Sequence, residues 1–256
     1  MIDRRVIAFT SIFAVVYAIV RLIPTFPMIG VAATFTASDI LAPLYGIILG
    51  PLIAPLSIIF GTYLSALLGR GLIFLGLDFL PGALNATTLG LLMVGRRIQA
   101  SLIFIIILIL YAIHPLSLLI VELPLHGNIL VPYNWLHLIS FLILISPLGR
   151  SSVSWIKEGS TVRVAQGIFT LSLIGTMVQH LTGSIIFETV FGLILQVIKT
   201  ETWPKLWTAV FYVYPFERFT IILLTTALGT PLLKAIRSLK IRINSSLLTA
   251  SEKDRS

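Results

Sequence analysis

Eight apolar runs divide this chain, and proline, glycine or charged residues separate each run from the next. A helix needs about 20 residues to cross the hydrocarbon core of a bilayer, and most of the runs approach that length. Only 11% of the residues are charged, against about 25% in soluble domains. A water-facing surface therefore cannot be built from this composition, and the sequence predicts an integral membrane protein. The candidate spans are 6–23, 35–49, 52–68, 72–94, 99–121, 135–148, 164–186 and 207–233.

Three of these runs are marginal as spans. The runs 35–49 and 52–68 are short and rich in proline and glycine, which predicts a hairpin that does not cross completely. The run 135–148 is also short. The first run resembles a signal peptide but continues without a small-x-small cleavage site, so we interpret it as a retained span. The predicted fold is an all-α polytopic bundle of 6–8 transmembrane helices.

Lysine and arginine predict the orientation of this bundle, because they concentrate in cytoplasmic loops. With eight spans and a cytoplasmic N-terminus, thirteen basic residues fall inside and five outside. This bias predicts a plasma-membrane protein with both termini in the cytoplasm, formed by one transmembrane domain (1–243) and a cytoplasmic polar tail (244–256). The net charge of +8 is then a topology signal and gives no support to nucleic-acid binding. The outer residues are Arg21, Arg70, Lys199, Lys205 and Arg218.

Polar residues in the last two runs occur at one predicted depth. At 1.5 Å of rise per residue, His180 and Glu217 each lie about 24 Å above the inner end of their helix. Gln179 and Arg218 are their neighbours, and Glu188 follows two turns later. One interpretation is that Glu217 and Arg218 reach the outer headgroups. The other is a polar pocket open to the outside, in which Arg218 or His180 contacts an acid group of a ligand.

Two further polar residues are candidates for the same pocket. Asp39 lies in "FTASDILAPLYG", where Ser38 and Asp39 could instead cap the following helix. Asn85 lies near the middle of its run, where an interhelical hydrogen bond is as good an explanation as ligand contact.

The chain lacks the motifs of several enzyme classes. It has no cysteine, which excludes disulfides, thiol catalysis and thiolate metal sites. It contains no G-x-x-x-x-G-K-[ST] phosphate loop, no H-E-x-x-H zinc motif and no G-x-S-x-G nucleophile turn. The sequence therefore predicts no catalytic residues, no cofactor, no metal and no ATP hydrolysis through a phosphate loop.

The stretch 32–61, "AATFTASDILAPLYGIILGPLIAPLSIIFG", resembles the early part of the substrate-binding subunits (S components) of energy-coupling factor (ECF) transporters. Its "GIILGP" is similar to a Gly-x-x-x-Gly-Pro turn of that family. The later "LDFLPGALNATTLGLLMVGRR" is similar to the family's Pro-Gly stretch, and "YPFERF" with "GTPLLKAI" resembles its last helix. These segments cover about half the chain.

The resemblance implies a membrane subunit that captures a vitamin or related micronutrient under the loop after its first helix. It also implies partners: a transmembrane coupling subunit, which would dock on Ala14 and Ala18, and two ATPase subunits. The substrate-binding candidates are then Asp39, Asn85, Gln179, His180, Glu188, Glu217 and Arg218.

Other interpretations stay open at this point. The family usually has six spans, and the region 122–165 is either an added hairpin or a sign of a different family. A stand-alone, proton-coupled secondary transporter would use Glu188, Glu217 and His180 to carry protons. A membrane-embedded enzyme would need an acid and a base, for which His180 and Glu188 are candidates.

Overall fold

The computed structural model describes residues 4–123 and 129–238, so the predicted tail 244–256 lies outside the described residues. Most of the described chain is helical, and two short antiparallel β-hairpins interrupt it. The elements are α1 (Arg4–Arg21), β1 (Pro24–Pro27), β2 (Thr34–Thr36), α2 (Leu41–Leu67), α3 (Leu80–Met93), α4 (Arg97–Ile113), β3 (Ile120–Leu123), β4 (Ile129–Pro132), α5 (Trp135–Ile145), α6 (Pro147–Glu158), α7 (Thr161–Phe187) and α8 (Trp203–Ser238).

The fold is all-α, and within the described ranges three helical segments are, by length and composition alone, long and apolar enough to cross a membrane: Ala37–Leu67, which a non-helical residue at Gly50 interrupts, Thr161–Ile194 and Thr200–Arg237. Helices α5 and α6 are bent by 69° relative to each other, and together they form a fourth candidate span if the pair is counted as one broken helix. The predicted run 72–94 forms a helix of only 14 residues, α3. Its first part is instead a turn, in which Asp78 accepts hydrogen bonds from the backbone N–H groups of Ile73 and Phe74.

Helix α2 folds back on itself at Gly50. The backbone there has φ 79° and ψ −175°, a conformation that is essentially restricted to glycine. A Cβ atom at Gly82 would lie 3.4 Å from Ile58 Cγ2 and 3.8 Å from Ala42 Cβ. Residues 42 and 58 would be about 24 Å apart on a continuous helix, so the halves 41–49 and 51–67 must run antiparallel. The sequence had indicated such a hairpin for the runs 35–49 and 52–68.

Small residues let the first half of α2 approach α3 closely. A Cβ atom at Gly46 would lie 2.6 Å from the carbonyl oxygen of Ala86, and one at Gly90 would lie 2.6 Å from the carbonyl carbon of Gly50. Real Cβ atoms do not approach this closely, so the spacing of the two helices depends on these glycines. The contact between the first half of α2 and α3 places the segment before α2 and the start of α3 at the same height along the bundle axis.

Helix α7 is the centre of the bundle and packs against α3, α5, α6 and α8. Its middle is buried almost without interruption, and Leu171, Ile174 and Met177 have no exposed surface. Apolar side chains on α1, α4 and α8 are exposed instead, which fits a membrane protein. Among them are Ile12, Ile106 and Leu223.

The two ends of the bundle differ in their residues. One end, which we call the loop end, carries the ends of α1 and α7, the starts of α3 and α8, and the ion pair between Arg21 and Asp78. The opposite end, which we call the basic end, carries Arg97 at the start of α4, Lys157 in α6 and Arg237 in α8. Helix α1 therefore begins at the basic end, and helix α8 ends there.

Candidate functional site

A cavity of about 650 Å³ opens at the loop end of the bundle. Exposed loop residues, among them Ala32 and Gly71, form its upper wall, and buried residues of α7 and α8 form its floor. The cavity therefore leads from the surface toward the interior. Five of the seven predicted substrate-binding residues line it: Asp39, Gln179, His180, Glu217 and Arg218.

A chain of hydrogen bonds across three helical segments orients Asp39. Asn85 Nδ2 in α3 donates to Gln179 Oε1 in α7 at 2.7 Å, and Gln179 Nε2 donates to Asp39 Oδ1 at 2.7 Å. Gln179 can serve both neighbours because its amide has a donor and an acceptor end. The Asp39 side chain makes no helix-capping bond, so its capping interpretation is not observed. Asn85 lies behind the cavity wall and forms a hydrogen bond between α3 and α7. This interhelical bond is one of the two roles that the sequence allows for Asn85.

Arg218 is the most deeply buried cation of the cavity, with 1% of its surface exposed. Its Nη2 lies 3.7 Å from Glu217 Oε2, beyond hydrogen-bond distance. Within the described residues, its Nε and Nη2 have no hydrogen-bond partner. Its Cζ lies 5.4 Å from the centre of the Phe35 ring, which belongs to the loop after α1. The snorkelling interpretation of Glu217 and Arg218 is therefore not what the structure shows, since both residues are buried on the cavity wall.

His180 forms a stack with two residues behind the cavity. Its Nδ1 lies 2.9 Å from Nε2 of His137 in α5, and its ring stacks on Tyr214 in α8 at 4.8 Å between ring centres. A neutral imidazole has one donor and one acceptor nitrogen, so one histidine donates this bond and the other accepts it. His137 is not a candidate from the sequence, because its short run is marginal as a span and its partner His180 is distant in sequence.

Two arginines hold the loops around the cavity. Arg21 Nη1 donates to Ser65 Oγ at 3.0 Å and its Nη2 pairs with Asp78 Oδ1 at 3.2 Å. Arg70 Nη2 donates to the carbonyl oxygen of Thr34 at 2.6 Å and to Thr34 Oγ1 at 2.9 Å. Burial and the positive charge of Arg21 lower the pKa of Arg70. Sequence analysis had used these arginines only as topology markers, although both lie in polar breaks between apolar runs.

Glu188 does not line the cavity, and its role as a ligand contact stays a prediction. It begins a π-helical turn (Glu188–Ile194) after α7, and its Oε2 accepts from Ser117 Oγ at 2.8 Å and lies 2.9 Å from His114 Nδ1. Eight residues of α-helix rotate through about 800°, so Glu188 points about 80° away from His180. Burial lowers the pKa of His114. The acid–base pair of His180 and Glu188 that an enzyme would need is not formed.

Ala14 and Ala18 are buried inside the chain, with 4% and 0% of their surfaces exposed. A Cβ atom at Gly61 in α2 would lie 2.7 Å from the carbonyl oxygen of Ala14, so this face of α1 packs against α2. Their small side chains allow helix packing within the chain, and docking of a partner subunit on the two alanines stays a prediction. The outward face of α1 carries Val15 and Ile19 instead.

In the part of the chain that the structure describes, no three His, Asp or Glu side chains are close enough together to hold a metal ion. A comparison of the chain with family models, with curated proteins and with solved structures finds no match to any of them.

Proposed function

We propose that this chain is the substrate-binding membrane subunit of an ECF-type transporter and captures a vitamin-like small molecule from the outer side of the plasma membrane. The observation that carries the proposal is the 650 Å³ cavity with its buried polar floor. Small-molecule sites commonly have volumes of about 300–1,000 Å³ and combine apolar walls with a few polar groups. The apolar part here includes Phe35, Met28 and Trp207.

The distribution of basic residues supports an outward-facing cavity. Arg97, Lys157 and Arg237 lie at the basic end, opposite the cavity. Cytoplasmic loops are enriched in lysine and arginine, so we assign the basic end to the cytoplasm. In this proposal both termini are cytoplasmic, and the shorter helices complete a bundle of 6–8 spans.

The need for an energy-supplying partner is part of the proposal. The sequence contains no phosphate-binding loop for ATP hydrolysis. We therefore propose a transmembrane coupling subunit and two ATPase subunits as partners. Because Ala14 and Ala18 are covered by α2, we do not assign the docking face to them.

A thermal-shift screen tests the binding function. The detergent-purified protein is heated with single vitamins, their precursors and nucleobases, and we expect at least one compound to raise the melting temperature. The cavity-filling variant Gly183→Leu should lose this shift, because a Cβ atom at Gly183 meets only Pro81 Cγ, at 3.9 Å, and the added side chain has room to grow into the cavity. Ala8→Leu is the matched control, since Ala8 lies on the exposed face of α1. Absence of any shift across the library would contradict the proposal.

The second candidate function is a stand-alone, proton-coupled transporter. The observation that favours it is the presence of three titratable side chains, Asp39, His180 and Glu217, in one cavity. The two candidates differ in reconstituted liposomes. If uptake of a compound from the screen proceeds with this chain alone under a pH gradient, the second candidate is supported. If uptake requires an ECF coupling module and ATP, the first is supported.

A further inference from the structure

Arg218 is a cation without a complete set of partners in the cavity. It is 1% exposed, and its Nε and Nη2 donate to no atom of the described residues. A buried charge of this kind is costly unless it is paired and hydrogen-bonded. The nearest carboxylate oxygen, Glu217 Oε2, is 3.7 Å away and does not complete the pairing.

The other arginines of the cavity are already engaged. Arg21 pairs with Asp78 and Ser65, and Arg70 donates twice to Thr34. Among the arginines that line the cavity, Arg218 therefore has N–H donors that are available to a ligand. From these contacts we propose that the ligand is a small monocarboxylate whose carboxylate group binds the Arg218 guanidinium, an inference that rests on the proposed binding function.

A carboxylate fits this site better than a doubly charged phosphate group does. Three arginines and three acidic residues line the cavity, so its formal charge is zero. Asp39 and Glu217 both lie near Arg218, so every negative charge on a ligand is repelled there, and a doubly charged group is repelled more than a singly charged one. A planar guanidinium can bind a carboxylate through two parallel hydrogen bonds, as it can a phosphate, so the preference for a carboxylate rests on the charge of the cavity. The first turn of α3, with Pro81 and Gly82, lines the same cavity and adds the positive end of a helix dipole.

Phe35 restricts how the carboxylate can approach. Its ring lies 5.4 Å from Arg218 Cζ and covers the guanidinium from the loop after α1. An aromatic ring near a guanidinium contributes a cation–π attraction and leaves the edge of the guanidinium for hydrogen bonds. The ligand carboxylate therefore binds Arg218 edge-on, with the rest of the ligand in the cavity.

The test compares compounds from the thermal-shift screen with chemically matched analogues of each compound. For each compound that binds, the dissociation constant is measured for the carboxylic acid, for the corresponding carboxamide and for a phosphorylated analogue. We expect the acid to bind and both analogues to bind at least about thirtyfold more weakly, which is the effect of leaving one partner of a buried charge pair unpaired.

Variants of Arg218 give an independent readout. Arg218→Met should lower the melting temperature of the ligand-free protein, because it leaves the nearby buried carboxylates of Glu217 and Asp39 without the cation that offsets them. It should weaken binding of the acid by at least about thirtyfold and leave the weak binding of the carboxamide unchanged. If this variant does not fold, Arg218→Lys keeps the charge, and we expect about tenfold weaker binding because the two-pronged geometry is lost. Ala8→Leu serves again as the control.

The outcomes separate this inference from the proposed function. Compounds that bind tightly without a carboxylate, or a carboxamide that binds as tightly as its acid, overturn the inference and leave the binding function intact. Normal binding of the acid to Arg218→Met or Arg218→Lys also overturns it. If no compound binds at all, the proposed function fails and the inference fails with it.

Discussion

Gln179 Nε2 donates a hydrogen bond to Asp39 Oδ1 at 2.7 Å and thereby joins two parts of the chain that are 140 residues apart. The same amide accepts from Asn85. Because all three side chains are at least partly buried, the bonds hold the acceptor face of Asp39 at a defined position in the cavity. The relationship leads to the first of five predictions.

Replacing Gln179 by leucine should destabilise the fold. Gln179→Leu leaves Asp39 Oδ1 and Asn85 Nδ2 without their partners in a buried region. An unsatisfied buried polar group costs about 1–3 kcal/mol, which predicts a clear drop in melting temperature in detergent. Gln166→Leu, on the exposed surface of the same helix, is the control and should change little. Equal melting temperatures for both variants would contradict the hydrogen-bond chain.

Two glycines of α7 should respond oppositely to alanine. A Cβ atom at Gly175 would overlap Asn85 Oδ1, whereas one at Gly183 meets only Pro81 Cγ, at 3.9 Å. Gly183→Ala should raise the free energy of unfolding by about 0.5–1 kcal/mol, because alanine favours the helix over glycine. Gly175→Ala should lower it, by displacing Asn85. Equilibrium unfolding in mixed micelles measures both, and the same sign for the two variants counts against this packing.

The turn at Gly50 should not accept a side chain. Its φ of 79° with ψ of −175° lies in a region that is essentially restricted to glycine, where a side chain costs about 1–3 kcal/mol. Gly50→Ala should therefore reduce the yield of folded protein and its melting temperature. Gly71→Ala is the matched control, since a Cβ atom there meets nothing within 4 Å. A fully stable Gly50→Ala protein would indicate that α2 is one continuous helix.

Bulky substitutions on α1 should distinguish its inner and outer faces. Ala18 has no exposed surface, whereas 47% of Val15 is exposed. Ala18→Trp should prevent normal folding, because overpacking forces neighbouring backbone to move. Val15→Trp should leave the melting temperature and ligand binding unchanged. If Ala18→Trp folds and binds ligand normally, Ala18 is accessible on the surface of the chain. That result would support docking of a partner subunit on Ala14 and Ala18.

The absence of cysteine allows a direct test of orientation. Single cysteines are introduced at Gly71, at the mouth of the cavity, and at Lys157, in α6 at the basic end. A membrane-impermeant maleimide should label Gly71→Cys in intact cells and label Lys157→Cys only after the membrane is permeabilised. The reverse pattern would place the cavity in the cytoplasm and exclude capture from outside.

The depth of the polar residues was predictable from the sequence, because helical rise is regular. That argument brought His180, Gln179, Glu217 and Arg218 to one level, and these four residues line one cavity. Their role in binding a substrate stays a prediction. The fold-back at Gly50 was also indicated, since short apolar runs next to glycine and proline are too short to cross a membrane.

Other features depended on packing that one sequence does not reveal. The spacing of Ala14 and Ala18 indicates that a helix packs closely, but does not tell whether that helix belongs to this chain or to a partner. His137 became part of the site only because α5 and α7 lie side by side. Glu188 lies outside the cavity lining, because eight residues of helix turn its side chain about 80° away from that of His180.

The buried centre of α7 limits what this molecule does by itself. Below the cavity, Leu171, Ile174 and Met177 are completely covered by neighbouring helices, and none of them borders the open volume. Within the described residues, the cavity does not continue past these three side chains toward the basic end. Under the proposed transport function, delivery to the other side of the membrane requires these helices to tilt or separate.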